Sequence, residues 1–181
     1  MYCFKKKNLN NFNTSSSTLM NRMFESCSSL ISLNLSSFDT SLVTKMNQMF
    51  YECSSLTTLN LNNFNTSLVE NMRSIFCGCS SLISLNLNNF ITSSVTKMDY
   101  MFYRCNSLIS LNLKKFTILS NTNIDDMPQE CNPNLIICVN EEKAYRITSL
   151  LLSTFKIECN NACFKNSNKL IKEKKRMFRL L

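Results

Sequence analysis

Apolar residues recur along the chain at a fixed spacing of 26 residues. The same side chain returns at three positions of each period, and no insertion breaks the register. The recurring residues are Leu9, Leu35, Leu61, Leu87 and Leu113; Phe12, Phe38, Phe64, Phe90 and Phe116; and Cys27, Cys53, Cys79, Cys105 and Cys131. A unit of this length cannot bury an apolar face by itself, so we expect the units to stack and share one core.

The first half of each unit predicts a short strand. Its pattern is Leu30-x-x-Leu33-x-Leu35-x-x-Phe38, which is the spacing of a leucine-rich repeat with Phe in place of Asn. Apolar and polar residues alternate at Leu33-Asn34-Leu35, so both leucines are expected to face inward from a strand.

The second half of each unit predicts a short helix. Its apolar residues follow at steps of three and four, as on one face of a helix of about three turns. In the second unit they are Val43, Met46, Met49, Phe50 and Cys53. Ser67 and Glu70 have the spacing of a capping box at a helix start. The fold class predicted is an α/β repeat: a right-handed leucine-rich-repeat solenoid with short parallel strands on one face and short helices on the other.

The pattern divides the chain into three regions. Residues 1–117 form the leucine-rich-repeat array of 26-residue units, with a partial first unit. Residues 118–164 are expected to form a C-terminal capping region, with a last strand at 135–139 and a helix starting at Asn140. Residues 165–181 form a basic tail. Because no polar cap covers the first unit, we expect the chain to be a piece of a longer array.

The unit from Leu30 to Cys53 resembles the BspA-type leucine-rich repeat, also called the Mycoplasma-lipoprotein 26-residue repeat. The likeness extends over most of the chain. The block from Cys131 to Cys163 is similar to the segment that follows such arrays in large protist surface proteins. The resemblance implies a solenoid exposed at the cell surface and, as the usual proposal for that family, adhesion to host or neighbouring cells.

The function expected is therefore a non-catalytic binding or adhesion module of a cell-surface leucine-rich-repeat protein. Its partner would be a protein or glycan ligand on another cell or matrix. The alternative is an intracellular leucine-rich-repeat scaffold for protein–protein interaction. No apolar run reaches the roughly 18–20 residues of a transmembrane segment, and no signal peptide is visible. We expect a cell-surface or extracellular location by way of a longer chain, with the cytoplasm as the alternative.

Composition argues against most enzyme classes. Histidine is absent and glycine occurs once. This excludes Ser-His-Asp and Cys-His catalysis, imidazole zinc sites and glycine-rich phosphate loops. We expect no enzymatic activity, no cofactor and no bound metal. The net charge of +8 is concentrated at the two ends of the chain, and the nearly neutral body predicts no nucleic-acid partner.

Eight of the ten cysteines belong to two groups, which share Cys131. Those of the 26-residue ladder close the apolar face of each unit and are expected to be buried thiols. Cys77 lies off this ladder and is expected to be a surface thiol. The second group consists of candidates for two disulfides in one of three pairings, with free thiols or a four-thiolate zinc site as the alternatives. Its members are Cys131, Cys138, Cys159 and Cys163.

Alternation along the strands sends a row of asparagine side chains outward, onto the concave face with which leucine-rich repeats usually bind. Hydroxyl and amide groups there suit glycans or extended peptide. The candidate binding residues are Ser32, Asn34, Thr58, Asn60, Asn62, Ser84, Asn86, Asn88, Ser110, Asn112 and Lys114. The alternative is that the stacked asparagines bond only to one another and to water. A second candidate patch has a better composition for a binding hot spot and comprises Tyr51, Tyr100, Tyr103 and Arg104.

Overall fold

The computed structural model describes residues 6–9, 11–139 and 156–158. Seven short strands lie in these residues, and every pairing between them is parallel. The strands are β1 (Lys6–Asn8), β2 (Ser32–Asn34), β3 (Thr58–Leu59), β4 (Ser84–Asn86), β5 (Ser110–Asn112), β6 (Ile136–Cys138) and β7 (Lys156–Glu158). One sheet has the order β1-β2-β3 and another the order β4-β5-β6-β7.

Partners in adjacent strands stand one repeat apart as far as β6. Leu33 of β2 lies beside Leu59 of β3, and Leu85 of β4 beside Leu111 of β5. Each predicted strand is present. The strand predicted at Leu33-Asn34-Leu35 begins one residue earlier, at Ser32. Leu33 is 7% exposed and Leu35 is 1% exposed, so the inward orientation of both is confirmed. We number the units by their ladder cysteine, from the first unit at Cys27 to the fourth at Cys105.

Identical side chains of successive units stack into ladders inside the core. Adjacent rings of one phenylalanine ladder lie 5.6–5.8 Å apart, with interplanar angles of 3–9°. Its members are Phe24, Phe50, Phe76 and Phe102. Burying one such side chain contributes about 1.5–3 kcal/mol. The stacked units therefore supply the core that a single unit lacks.

The second half of each unit contains no helix within the described residues, so the helix prediction is wrong. The chain folds into consecutive turns instead. One set of backbone bonds closes turns within a unit, such as that from the Met49 N–H to the Met46 carbonyl at 3.2 Å. A second set joins neighbouring units, such as that from the Phe50 N–H to the Ile75 carbonyl at 2.9 Å. N–H groups alternate between these two partners, whereas a helix keeps them all internal.

The turns place two residues of each unit in the left-handed backbone conformation, with φ between 51 and 75°. The first left-handed row is Arg22, Gln48, Ser74, Tyr100 and Asp126, and the second is Ser26, Glu52, Gly78, Arg104 and Glu130. Such residues are incompatible with a right-handed helix. Apolar steps of three and four suit these turns as well as a helix, which is why the spacing alone was misleading. We call the side of the units that carries both rows the turn face.

Side chains also replace the predicted helix caps. The Asn65 Oδ1 atom accepts both the Ser67 N–H, at 3.1 Å, and the Ser67 hydroxyl, at 2.8 Å. The Glu70 N–H donates to the Thr44 carbonyl of the preceding unit at 2.9 Å. The capping box predicted at Ser67 and Glu70 is therefore replaced by an asparagine turn and a bond between units.

Buried threonines hold each unit in register with the next. The Thr40 hydroxyl donates to the Asn65 carbonyl at 2.9 Å and accepts the Asn65 N–H at 2.8 Å. The same pair of bonds joins Thr14 to Asp39, Thr66 to Ile91 and Thr92 to Thr117. A buried backbone group left unpaired costs about 1–3 kcal/mol, so each hydroxyl strongly disfavours a shift between units.

Several predictions fall outside the described residues. The helix expected from Asn140 and the basic tail at 165–181 are among them. The boundary placed at residue 117 stays a prediction, and the 26-residue register continues past it in the bridge between Lys97 and Asn123. Within the part of the chain that is described, no helix has the length and hydrophobicity needed to cross a bilayer.

Candidate binding groove on the turn face

The predicted asparagine row forms on the strand side of the units. Asn34, Asn60 and Asn86 are exposed, and the Oδ1 atom of each accepts the backbone N–H two residues further on at 3.0–3.1 Å. These side chains therefore shape the turn after each strand. Of the flanking candidates, Thr58, Asn62 and Asn88 are exposed, and Ser32, Ser84 and Lys114 are half-buried.

The row of exposed side chains ends at β5, because all three residues of this strand are buried. Ser110 and Asn112 were expected to point outward, but they are 0% and 8% exposed. The Asn112 Nδ2 atom donates to the Asn86 Oδ1 atom at 3.2 Å. Asparagines of adjacent units thus bond to one another at this pair, and binding by the remaining strand-side residues stays a prediction.

The second candidate patch lines a groove of about 580 Å³ on the turn face. Tyr51, Tyr100, Tyr103 and Arg104 all belong to its lining, as the sequence suggested. The volume is within the range of about 300–1,000 Å³ typical of small-ligand pockets. We call it the turn-face groove. Its other charged residues are Arg22, Glu52, Arg73 and Lys97.

The groove exists because the third unit carries small side chains where its neighbours carry large ones. Ser74 and Cys77 form its floor and are each 6% exposed. The same two positions hold Gln48 and Tyr51 in the second unit and Tyr100 and Tyr103 in the fourth. Cys77 is therefore sunk below its neighbours, and the prediction that it is a surface thiol is wrong. Burial, together with the charge of Glu52, raises the pKa of Cys77 to about 11, so the thiol is protonated at neutral pH.

Gly78 adjoins this floor and gives room to Glu52. Its φ is +75°, and a Cβ atom placed on it would lie 2.6 Å from the Glu52 Cδ atom. The glycine therefore suits the left-handed backbone and also lets the Glu52 carboxylate lie against the third unit.

Three arginines of the groove are held by the Nε atom and keep the other edge of the guanidinium open. The Nε partners are Gln48 for Arg22 at 2.9 Å, Asp99 for Arg73 at 3.0 Å and Glu130 for Arg104 at 2.9 Å. Within the described residues no Nη atom of these arginines makes a hydrogen bond. The Nη edge is the one that binds carboxylate, sulfate or phosphate through two parallel bonds.

Two of these guanidinium groups also lie over tyrosine rings. The Arg104 Cζ atom is 5.1 Å from the centroid of Tyr103, and that of Arg73 is 5.8 Å from the centroid of Tyr100. The Tyr103 hydroxyl donates to the Glu130 carboxylate. This bond and the one from Arg104 hold the pKa of Glu130 below its ordinary value, and the same carboxylate raises the pKa of Tyr103. The wall of the groove is therefore a fixed cluster of rings and charges.

The ladder cysteines have a structural use below the turn face. The Sγ atoms of Cys53, Cys79, Cys105 and Cys131 donate to the carbonyls of Phe24, Phe50, Phe76 and Phe102 at 3.0–3.2 Å. Burial raises the pKa of Cys53 to about 12. These four thiols are free, whereas Cys27 is disulfide-bonded, so the expectation of buried free thiols fails at the first unit.

The four cysteines proposed for disulfides do not form one group. Cys131 has a free thiol because it continues the ladder, which corrects its place among the disulfide candidates. Cys138 is disulfide-bonded, and Cys159 and Cys163 lie outside the described residues, so the pairing stays a prediction. No group of three or more cysteine or carboxylate ligands that would suit a metal ion occurs in the described ranges.

Parallel 26-residue units with stacked phenylalanines and buried cysteines define a repeat protein. The chain belongs to the family described as Mycoplasma protein of unknown function, DUF285, whose model matches residues 2–60 and 31–135. The matched segments overlap, as expected when similar units align in more than one register. No curated protein and no solved structure matches the chain.

Proposed function

We propose that the chain is a non-catalytic binding module of a cell-surface repeat protein of the BspA type, and that it mediates adhesion. The turn-face groove is the observation that carries this proposal. Arginine and tyrosine are the residues that most often dominate binding energy, and here three of each line one cavity. The arginines are already fixed through their Nε atoms, so little side-chain freedom is lost when a ligand binds.

The finer fold in this proposal is a right-handed leucine-rich-repeat solenoid in which turns take the place of helices. The leucine spacing from Leu30 to Phe38 and the parallel register of the strands support it. Right-handed crossovers are the rule between parallel strands, which supports the handedness. A solenoid of this kind presents every unit side by side, and a ligand can then touch several units at once.

The test is a binding screen with the purified full chain against extracellular matrix proteins, a glycan array and intact cells. We expect binding that is lost in the double variant Tyr103→Ala with Arg104→Ala. The matched control is Asn62→Ala with Asn88→Ala, which removes two exposed side chains on the strand side. Loss in the control alone would move the site to the strand side. No binding by the unaltered chain to any of these surfaces would contradict an adhesive function.

The second candidate, an intracellular scaffold for a protein partner, is favoured by one observation. Cys53, Cys77, Cys79, Cys105 and Cys131 all keep free thiols, as proteins do in a reducing compartment. The two candidates differ in the state of Cys27 and Cys138 in the native protein. Intact-mass measurement after alkylation, with and without reduction, distinguishes them. A fully reduced native chain would favour the scaffold, and persistent disulfides would favour the surface protein.

A further inference from the structure

We propose that the turn-face groove binds an acidic sugar residue of an oligosaccharide. The sugar ring lies over Ser74 and Cys77, and its carboxylate or sulfate group contacts the open Nη edges of the arginines. This inference rests on the proposed function, because it uses the same groove and names the class of ligand. Shape, charge and the supply of polar groups each support it.

The opening above Cys77 is one unit wide, because the large side chains of the second and fourth units stand on either side of it. Equivalent rings of adjacent units in the phenylalanine ladder lie 5.6–5.8 Å apart, and the third unit has no ring between Tyr51 and Tyr103. The place left open over Cys77 therefore fits one flat ring. A pyranose ring presents C–H groups on its faces, which pack against tyrosine, and keeps its hydroxyls at the edge.

The charge of the lining favours an acidic ligand over a neutral one. The lining contains four cations, those of Arg22, Arg73, Arg104 and Lys97, and one carboxylate, that of Glu52. Just outside the lining, the carboxylates of Asp99 and Glu130 pair with Arg73 and Arg104. Lys97 takes part in no ion pair within the described residues. A carboxylate or sulfate on the sugar satisfies two parallel N–H donors of one guanidinium, which gives direction as well as energy.

Unpartnered polar groups in the groove match the hydroxyls of a sugar. Ser74 is 6% exposed, and its Oγ atom makes no hydrogen bond to a described residue. The Tyr51 hydroxyl and the Asn47 amide are likewise unpaired within those residues. The Glu52 carboxylate can accept hydrogen bonds from sugar hydroxyls.

The backbone of the groove is closed to a peptide strand. Backbone N–H groups that could pair with a peptide strand already donate to carbonyls of the next unit, at 2.7–2.9 Å. The donors are the N–H groups of Gln48, Glu52, Ser74 and Gly78. Peptide recognition by strand addition needs an open sheet edge. A saccharide needs only side-chain groups, and those are the groups that the groove leaves unoccupied.

The test compares three probes by isothermal titration calorimetry at low salt. They are hyaluronan hexasaccharide, which carries carboxylates, the neutral chitin hexasaccharide, and hexaglutamate. We expect hyaluronan hexasaccharide to bind at least about tenfold more tightly than chitin hexasaccharide, because a charge-assisted pair is lost with the neutral sugar. Chondroitin sulfate hexasaccharide then shows whether a sulfate group binds better than a carboxylate.

Variants test whether the binding occurs in the groove. Arg104→Gln should weaken hyaluronan hexasaccharide about tenfold or more, and Lys115→Gln, which removes an exposed charge that does not line the groove, should change its affinity less than about twofold. Cys77→Tyr gives the third unit the ring of its neighbours and should abolish binding. Circular dichroism and thermal unfolding are used to check that each variant folds. Tyr103→Ala is the second variant if Cys77→Tyr does not fold.

Four results would overturn the proposal. Equal affinity for chitin hexasaccharide would remove the role of the anion, and tighter binding of hexaglutamate would indicate an acidic peptide. Unchanged affinity in both Arg104→Gln and the variant that fills the groove would place the site elsewhere. Groove-dependent adhesion to a matrix protein without any oligosaccharide binding would refute the ligand class alone. The proposed function fails only if the chain also adheres to nothing.

Discussion

Single side chains in this protein are used mainly to join one unit to the next. The ladder cysteines show it most clearly, because each thiol donates to a phenylalanine carbonyl of the preceding unit. That carbonyl also accepts a backbone N–H, as the Phe76 carbonyl does from Cys79 at 3.1 Å. A cysteine here fills apolar space and satisfies the second lone pair of an oxygen, a combination that valine and alanine lack.

Stability measurements on Cys105 variants test this use of the thiol. Cys105→Ser keeps a donor near the Phe76 carbonyl, whereas Cys105→Ala does not. We expect the serine variant to be more stable by about 0.5–1.5 kcal/mol in urea unfolding, the net worth of a typical hydrogen bond. The control is the same pair of changes at Cys77, whose thiol makes no hydrogen bond to a described residue. An alanine variant as stable as the serine variant at Cys105 would contradict the donor role.

The residues of the groove could have been predicted more fully from the sequence. Arg22 and Arg73 were missed, although a step of one repeat leads from them to Gln48 and Asp99, their Nε partners. The sequence does show where the groove opens. Residues 77 and 78 are a cysteine and a glycine, where the neighbouring units have a tyrosine and a charged residue. What the sequence could not reveal is which guanidinium edge stays open, because that depends on side-chain torsion angles.

At the scale of the element, the strands were predictable and the turns were not. Alternation at Leu33-Asn34-Leu35 has one physical meaning, a strand with one buried face. The spacing from Val43 to Cys53 has two possible structural meanings. Side chains that recur every three or four residues line one face either of a helix or of consecutive turns. Competition between internal bonds and bonds to the next unit decides between them, and one unit of sequence does not contain that information.

The backbone of the turns is tested by glycine at Ser26. This exposed residue has φ of 57°, where a side chain is strained and glycine is not. We expect Ser26→Gly to raise the melting temperature or leave it unchanged, whereas in a helix the same change would lower it. Ser28→Gly, at an exposed position without a positive φ, serves as the control and should be destabilising. A lower melting temperature for Ser26→Gly would argue against these turns.

For the whole molecule, the constant step between units means that any one unit has compatible surfaces on both sides. Phe76 stacks on Phe50 and on Phe102 at nearly equal distances, 5.7 and 5.8 Å. Contacts are made between neighbours along the stack, and stability is then close to a sum over units and their interfaces.

Deletion of residues 57–82, which is one full period, tests this arrangement. The chain would pass from Leu56 to Ile83 in register, so we expect cooperative unfolding with a lower midpoint. Deletion of residues 57–69 removes half a period, faces the wrong side chains against one another and should prevent folding. The full-period deletion should also lose oligosaccharide binding, because the groove floor goes with it. Similar behaviour of the two deletions would refute a stack held in register.

The outward side chains of the two left-handed rows differ from unit to unit, while the phenylalanine ladder beneath them does not. Unequal recombination within the gene, between two stretches that encode equivalent positions, would insert or remove whole periods and keep the phenylalanine ladder in register. In one such genetic event the turn-face groove would move along the protein, be duplicated or be lost. If the groove is the binding site proposed above, variety in its ligands would then arise from the number and order of units, and point mutation would only refine it.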